Sequence, residues 1–263
     1  MLYDNIADEA LKKENFDKIK EYVESTFADA DTYFNVFSLI EDKCLRFRFA
    51  KPKSIFEDKY PIYYVAGEGG YISYESKERI SEILLELSGI KDEKDEITTI
   101  KISPMYLAII LACCDVAYQN KYEGAWFTVT SVYNAFDIYN DDNFERIFFP
   151  ISYVARDVLY NSISLKDVKD VLDDMVKDGL LCVDYIDNVS LYSFDVDYRG
   201  LLNIFQDLKN RLAVLRYDKK GNICIIYVVT SRYNSWCFVI ENESAFMEDA
   251  DVKRFKDICM KVL

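Results

Sequence analysis

The sequence predicts an α+β fold, an antiparallel sheet built from two strand-strand-strand-helix halves with an inserted helical block that contains a winged-helix-like unit. Three observations predict it. Alternating or β-branched runs gather around 45–74 and again around 213–242, and each group leads into an amphipathic helical pattern. Helical patterns rich in aromatic residues fill the interval, and one of them runs through a glycine into a hairpin. We read 1–263 as a single domain with three subregions: an N-terminal α/β half (1–102), a helical and winged-helix-like block (103–212), and a C-terminal β-hairpin and helix half (213–262).

From the start of the chain, Ile6, Leu11, Phe16, Ile19, Tyr22 and Val23 stand among many charges and predict an amphipathic helix over 5–27. Leu45 to Ala50 alternates as a strand does. Ile62 to Ala66 and Tyr71 to Tyr74 flank Gly67-Glu68-Gly69-Gly70 and predict a hairpin. Ile80, Ile83, Leu84 and Leu87 fall on one helical face that ends at Gly89. Ile97 to Ile102 reads as a short strand. Ser103 then supplies a helix cap and Pro104 the first helical position, for a helix expected to reach about Asn120. Further helices are expected over Phe127 to Tyr139 and Phe144 to Tyr160.

The best-defined start is Ser164, because Asp167 three residues on makes a capping box and Ile163 can staple onto Val168. Leu165, Val168, Val171, Leu172 and Met175 form the expected buried stripe, and Gly179 ends the helix. Leu181 to Ile186 and Val189 to Phe194 then flank an Asp187-Asn188 turn, so helix, glycine and hairpin follow one another as in a winged helix. Leu201, Leu202, Phe205, Leu208 and Leu212 predict another helix. Ala213 to Tyr217, Ile223 to Ser231 and Trp236 to Asn242 read as strands, and Val252, Phe255, Ile258, Cys259 and Val262 as one face of a closing helix.

A chain of 263 residues that is 51% hydrophobic and 15% aromatic can bury a sizeable core without a covalent staple. Its 46 Asp and Glu against 32 Lys and Arg give a formal net charge of -14, a field that repels phosphate backbones and attracts basic partners. The seven Cys stand in apolar settings without a Cys-x-x-Cys spacing and read as small core residues of a reduced, cytoplasmic protein. Met1 to Lys20 lacks the pattern of a secretory leader. The longest apolar run, the eleven residues Pro104 to Cys114, is too short to cross a bilayer, so no membrane span is expected.

The chain has no histidine, which removes the commonest general base and with it Ser-His-Asp and Cys-His catalysis. The usual zinc ligand sets go too, and no cofactor or metal is expected. Asp195 to Gly200 begins like a calcium loop, but Arg199 stands where a ligand belongs and Gln206 replaces the closing Glu. Gly67 to Gly70 lacks the Gly-Lys-Ser/Thr of a phosphate cradle. Asp92, Glu93, Asp95 and Glu96 read as a solvated charge run, and Asp115 as either a buried ionisable group or a solvent-facing one. No catalytic residue is assigned.

Leu165 to Gly179 carries three Lys (166, 169, 177) against five Asp (167, 170, 173, 174, 178), so as a recognition helix it would meet DNA with net negative charge. Tyr227, Arg232, Tyr233 and Trp236 gather about one hairpin and are the residue types that dominate protein-binding hot spots. They are the candidate partner-binding residues, with core packing as the alternative. The reading is a non-enzymatic, cytoplasmic protein-binding adaptor or chaperone. A winged-helix transcription regulator is the alternative, and a carboxylate-dependent hydrolase the third.

From Ile102-Ser103-Pro104 and the helix after it, through Leu165 to Leu181 with Lys177-Asp178-Gly179-Leu180, to the closing strands and helix, the chain resembles the EspG family. Those proteins are cytosolic chaperones of type VII secretion with a quasi-symmetric α/β fold. The resemblance implies an adaptor that keeps a helical secretion substrate soluble and delivers it for export. It lies in topology and patterning and transfers no functional residue. The short Gly67 to Gly70 turn departs from the longer loop with which family members grip their substrates.

Overall fold

The computed structural model describes residues 30–40, 43–51, 59–66, 69–91, 93, 99–120, 125–137, 163–196, 208–232, 234–241 and 244–263. The expected helices over 5–27 and 144–160 lie outside them. Among the described residues the chain is α+β, with five helices, one antiparallel sheet of nine strands and one of two.

Four strands open the described chain: β1 (Thr32–Ile40), β2 (Lys43–Ala50), β3 (Lys59–Ala66) and β4 (Gly69–Ser76), followed by helix α1 (Lys77–Ser88). Next come β5 (Thr99–Ile102), α2 (Pro104–Gln119), α3 (Val129–Asp137), α4 (Leu165–Lys177) and the hairpin β6 (Leu181–Ile186) and β7 (Val189–Phe194). Four more strands, β8 (Leu208–Asp218), β9 (Ile223–Ser231), β10 (Ser235–Glu241) and β11 (Ser244–Asp249), lead to α5 (Val252–Val262). The large sheet has the order β4-β3-β2-β1-β8-β9-β10-β11-β5, so the two four-strand meanders meet through their first strands.

Each half therefore has four strands before its helix, one more than the sequence predicted, and the extra strands were hidden for physical reasons. In β1 the buried Phe34, Val36 and Ser38 alternate with the half-buried Tyr33, Asn35, Phe37 and Leu39. Both faces are largely apolar, which erases the period-2 contrast. β11 buries Glu248 completely, and Thr99 Oγ1 donates to its carboxylate at 3.2 Å. A buried carboxylate reads as surface in a sequence.

Leu208 to Leu212 was expected to be helical and is the start of β8. The reason is the spacing itself. Positions four apart share a face in a strand as well as in a helix. Leu201, Leu202 and Phe205 of that expectation lie outside the described residues.

The chain divides into two compact units. The first comprises Met1–Ile97, Asn210–Val228 and Ala250–Leu263. Its core lies on the sheet face bearing Phe34, Phe47, Phe49, Ile62 and Val214, and α1 packs over β1 and β4 and against α5. Phe49 stacks on Phe34 with ring centroids 4.4 Å apart, and Tyr60 Oη donates to the Leu263 carbonyl at 3.1 Å. Ser76 caps α1 by accepting from the Arg79 N–H, and Asp251 caps α5 by accepting from the Arg254 N–H.

The second unit comprises Thr98–Lys209 and Val229–Asp249. Its helix α2 starts as expected: Ser103 Oγ accepts from the Tyr106 N–H at 3.1 Å, with Pro104 at the first helical position. Leu107 to Ala117 is buried without a break, Asp115 included at 3% exposure, so that carboxyl is not solvent-facing. α2, α3 and α4 pack on one another. Burial drives the thiols of Cys113 and Cys114 well above their ordinary ionisation range, which leaves them inert as nucleophiles. Among the described residues no helix is long and apolar enough to cross a membrane.

Candidate functional site

Helix α4 and the β6–β7 hairpin are specified locally from end to end. Ser164 Oγ accepts from the Asp167 N–H at 3.2 Å, while the Asp167 carboxylate accepts from the Ser164 N–H at 2.8 Å, the reciprocal pair expected from the sequence. At the other end Gly179, with φ of 77°, turns the chain left-handed. The Gly179 N–H donates to the Val176 carbonyl and the Leu180 N–H to that of Met175, so the last carbonyls of α4 are satisfied as the strand begins. Asp187 and Asn188 both take positive φ, 49° and 64°, and join β6 to β7 by a two-residue turn whose twist suits a hairpin.

The base of the hairpin is core. Leu181 pairs with Phe194 and Val183 with Tyr192 on the inward face. Phe127, just before α3, exchanges backbone hydrogen bonds of 2.9 and 2.8 Å with Tyr192 and packs its ring against Tyr192 and Phe194. Among the described residues, helix, bridge strand, helix, helix and hairpin follow in winged-helix order. Tyr192 Oη donates to Asp173 Oδ1 at 3.0 Å, which fastens the hairpin to α4, and Asp173 also accepts from Lys169 one turn earlier.

Burial first, and the bond to Asp173 second, push the Tyr192 phenol up to about 12. The Lys169 ammonium, and after it the Tyr192 hydroxyl, hold the Asp173 carboxyl below the usual range. Because the folded pKa of Tyr192 lies above its ordinary value of 10, its contribution is fully present below pH 10 and is lost as pH rises from about 10 to 12. Tyr192→Phe is expected to lower stability at pH 8 by about 0.5–1.5 kcal/mol, with the gap to wild type closing above pH 10. Urea melts of both proteins at pH 8 and pH 11 measure it, and a gap independent of pH would contradict the assignment.

The tip is the opposite of the base. Tyr185 is 73% exposed, Ile186 58% and Val189 48%, and Leu165 in the first turn of α4 is 47% exposed. Leu165 and Val171 were expected in the buried stripe, yet only Val168, Leu172 and Met175 of that stripe are buried; Val171 is half-buried and Leu165, at the first position of α4, is exposed. Cys182, expected in the core, is also exposed: it lies on the outer face of β6 and its Sγ donates to Asp195 Oδ2 at 3.2 Å. The sequence did carry a signal for the tip. Its apolar residues run right up to the Asp187-Asn188 turn, where a two-stranded hairpin has nothing with which to cover them.

The residues proposed from sequence are placed differently. Tyr227 is fully buried in the first unit, so it is a core residue and cannot touch a partner. Arg232 is exposed at the β9–β10 turn, which Ser231 closes by bonding Asn234 through both its N–H and its hydroxyl. Tyr233 lies outside the described residues. Trp236 is half-buried, opposite Asp249 on β11, and its indole N–H is buried with no acceptor. The expected aromatic cluster thus contributes one exposed cation and one partly covered ring.

The α4 lysines do not present a basic face. Lys169 pairs with Asp173 and Lys177 with Asp174 along the helix, Lys166 is exposed in the first turn, and Asp170, Asp174 and Asp178 are exposed beside them. The β3–β4 hairpin pairs Val65 with Gly70 and Ala66 with Gly69, so Gly69 and Gly70 are strand residues, while Gly67 and Glu68 lie outside the described residues. Among the described residues no cluster of His, Cys, Asp and Glu could hold a metal ion. No family model and no curated protein matches the chain.

Proposed function

We propose that the protein is a non-enzymatic adaptor or chaperone that acts by binding another protein. The observation that carries this is the β6–β7 tip, where Tyr185, Ile186 and Val189 stand in water on a hairpin whose base is rigidly packed. Single exposed apolar side chains are ordinary, but here Ile186 and Val189 pair on one face of the tip and Tyr185 is exposed on the other, so both faces of the turn offer apolar contact of the kind that marks interaction sites. The duplicated plan of four strands and a helix is in keeping with the EspG resemblance, and on that reading the partner is a helical secretion substrate held in the cytoplasm.

The winged-helix order of the second unit favours a second reading, a transcription regulator, and the charge of α4 weighs against it. Pull-down of the tagged full chain from native lysate at physiological salt tests the first reading. We expect a stoichiometric protein partner that survives nuclease treatment. Recovery of nucleic acid alone would favour the regulator, and recovery of nothing by the folded chain would count against the adaptor.

A further inference from the structure

We propose that the β6–β7 tip, with the adjoining face of α4, is the docking surface for a cationic, apolar segment of a partner protein, an assignment that rests on the adaptor reading above. The anchor is apolar: Ile186 and Val189 pair on one face of the tip, the face that also carries Asp184, and Tyr185 is exposed on the face towards α4. Its surround is acidic. Asp184 and Asp187 are exposed on the hairpin itself, and on α4 Asp170 is exposed one turn beyond the exposed Lys166, so these acids outnumber that cation. From Gly179 to Val196 there is no Lys or Arg at all. Lys169, on the helix that packs against β6, is already paired with Asp173.

That pattern selects among occupants. A phosphate backbone or an anionic bilayer would meet carboxylates, and repulsion there opposes the apolar contact. A second copy would bring the same carboxylates to an isologous contact, together with its own net charge of -14. A segment carrying Lys or Arg around apolar side chains satisfies both parts, since its apolar groups cover the tip and its cations face Asp170, Asp184 and Asp187. The open ring of Tyr185 also suits a cation lying over it.

The test uses the full chain and a fluorescent amphipathic peptide built only of Leu and Lys, with a Leu and Glu peptide of equal length as its control. Three variants are compared. Ile186→Ser with Val189→Ser removes the anchor, and Asp184→Asn with Asp187→Asn removes charge while keeping a residue that tolerates positive φ. Ile100→Ser with Met260→Ser removes exposed apolar groups elsewhere. We expect the first pair to weaken binding about tenfold or more, the second to weaken it several-fold and flatten its salt dependence, and the third to leave it unchanged.

Equal weakening by all three pairs, or by none, overturns the docking surface. So does preferential binding of the Glu peptide, of duplex DNA or of anionic vesicles through the same residues. A benzophenone amino acid in place of Tyr185 then reports the native contact. A crosslinked segment with net positive charge supports the assignment, whereas an acidic segment or a second copy overturns it. If the native pull-down still recovers its partner with the double variant Ile186→Ser, Val189→Ser, the docking surface fails and the adaptor reading stands. An empty pull-down with wild type defeats the adaptor reading itself.

Discussion

Phe127→Ala is expected to destabilise the second unit by about 3–5 kcal/mol, the range for removing a buried phenyl ring from a core that cannot collapse around the gap. Phe127 is 1% exposed. Its ring lies 6.2 Å from that of Tyr192 and 5.8 Å from that of Phe194, and its backbone is pinned to β7 by two hydrogen bonds, so neighbouring atoms have little freedom to fill the space. The loss falls where helix and hairpin are joined. Amide exchange in α4 and β7 should accelerate by about two to three orders of magnitude, while β1 to β3 in the first unit keep their protection. A loss under about 1 kcal/mol in urea titration would mean that Phe127 does not anchor the hairpin.

Gly89→Ala is the matching experiment in the first unit. Gly89 ends α1 with φ of 73°, a left-handed conformation that costs a side-chain-bearing residue about 1 kcal/mol or more. A second cost adds to it. A Cβ built there would lie 2.3 Å from Asn210 Nδ2 and 2.7 Å from its Cγ, so Asn210 would have to swing away and give up its hydrogen bond to the Leu87 carbonyl. Together these predict a loss of about 2–4 kcal/mol in thermal or urea denaturation. Gly179→Ala provides the contrast. Its φ is 77° but nothing lies within 4 Å of the added atom, so only the conformational part should appear. Equal losses at the two glycines would show that Asn210 yields freely.

Much of this architecture was legible because local chemistry and final structure agree. Ser103-Pro104, Ser164 with Asp167, and the glycines at 89 and 179 mark helix ends where the structure has them. The failures have a common cause, which is that burial is decided by distant parts of the chain. Tyr227 looks like an interface residue until β9 is seen to be buried along almost its whole length. Glu248 looks like surface and is wholly covered, and Tyr185 and Ile186 look like ordinary strand residues although their hairpin outruns its support. Sequence periodicity tells which residues share a face. It does not tell whether anything covers that face.

The pairing of β1 with β8 has a consequence for how the chain is made. Ile40 faces Asn210 and Thr32 faces Asp218, so every partner of β1 on that side is separated from it by at least 170 positions. On a ribosome adding about 5–20 residues per second, the first meander waits on the order of ten seconds or more for its complement. Throughout that interval β1 is a nine-residue edge with unsatisfied amides and carbonyls, and it carries Phe34, Val36 and Phe37. Slower elongation between the codons for Ile40 and Asn210 is therefore expected to favour pairing of one unfinished chain with the next over native closure.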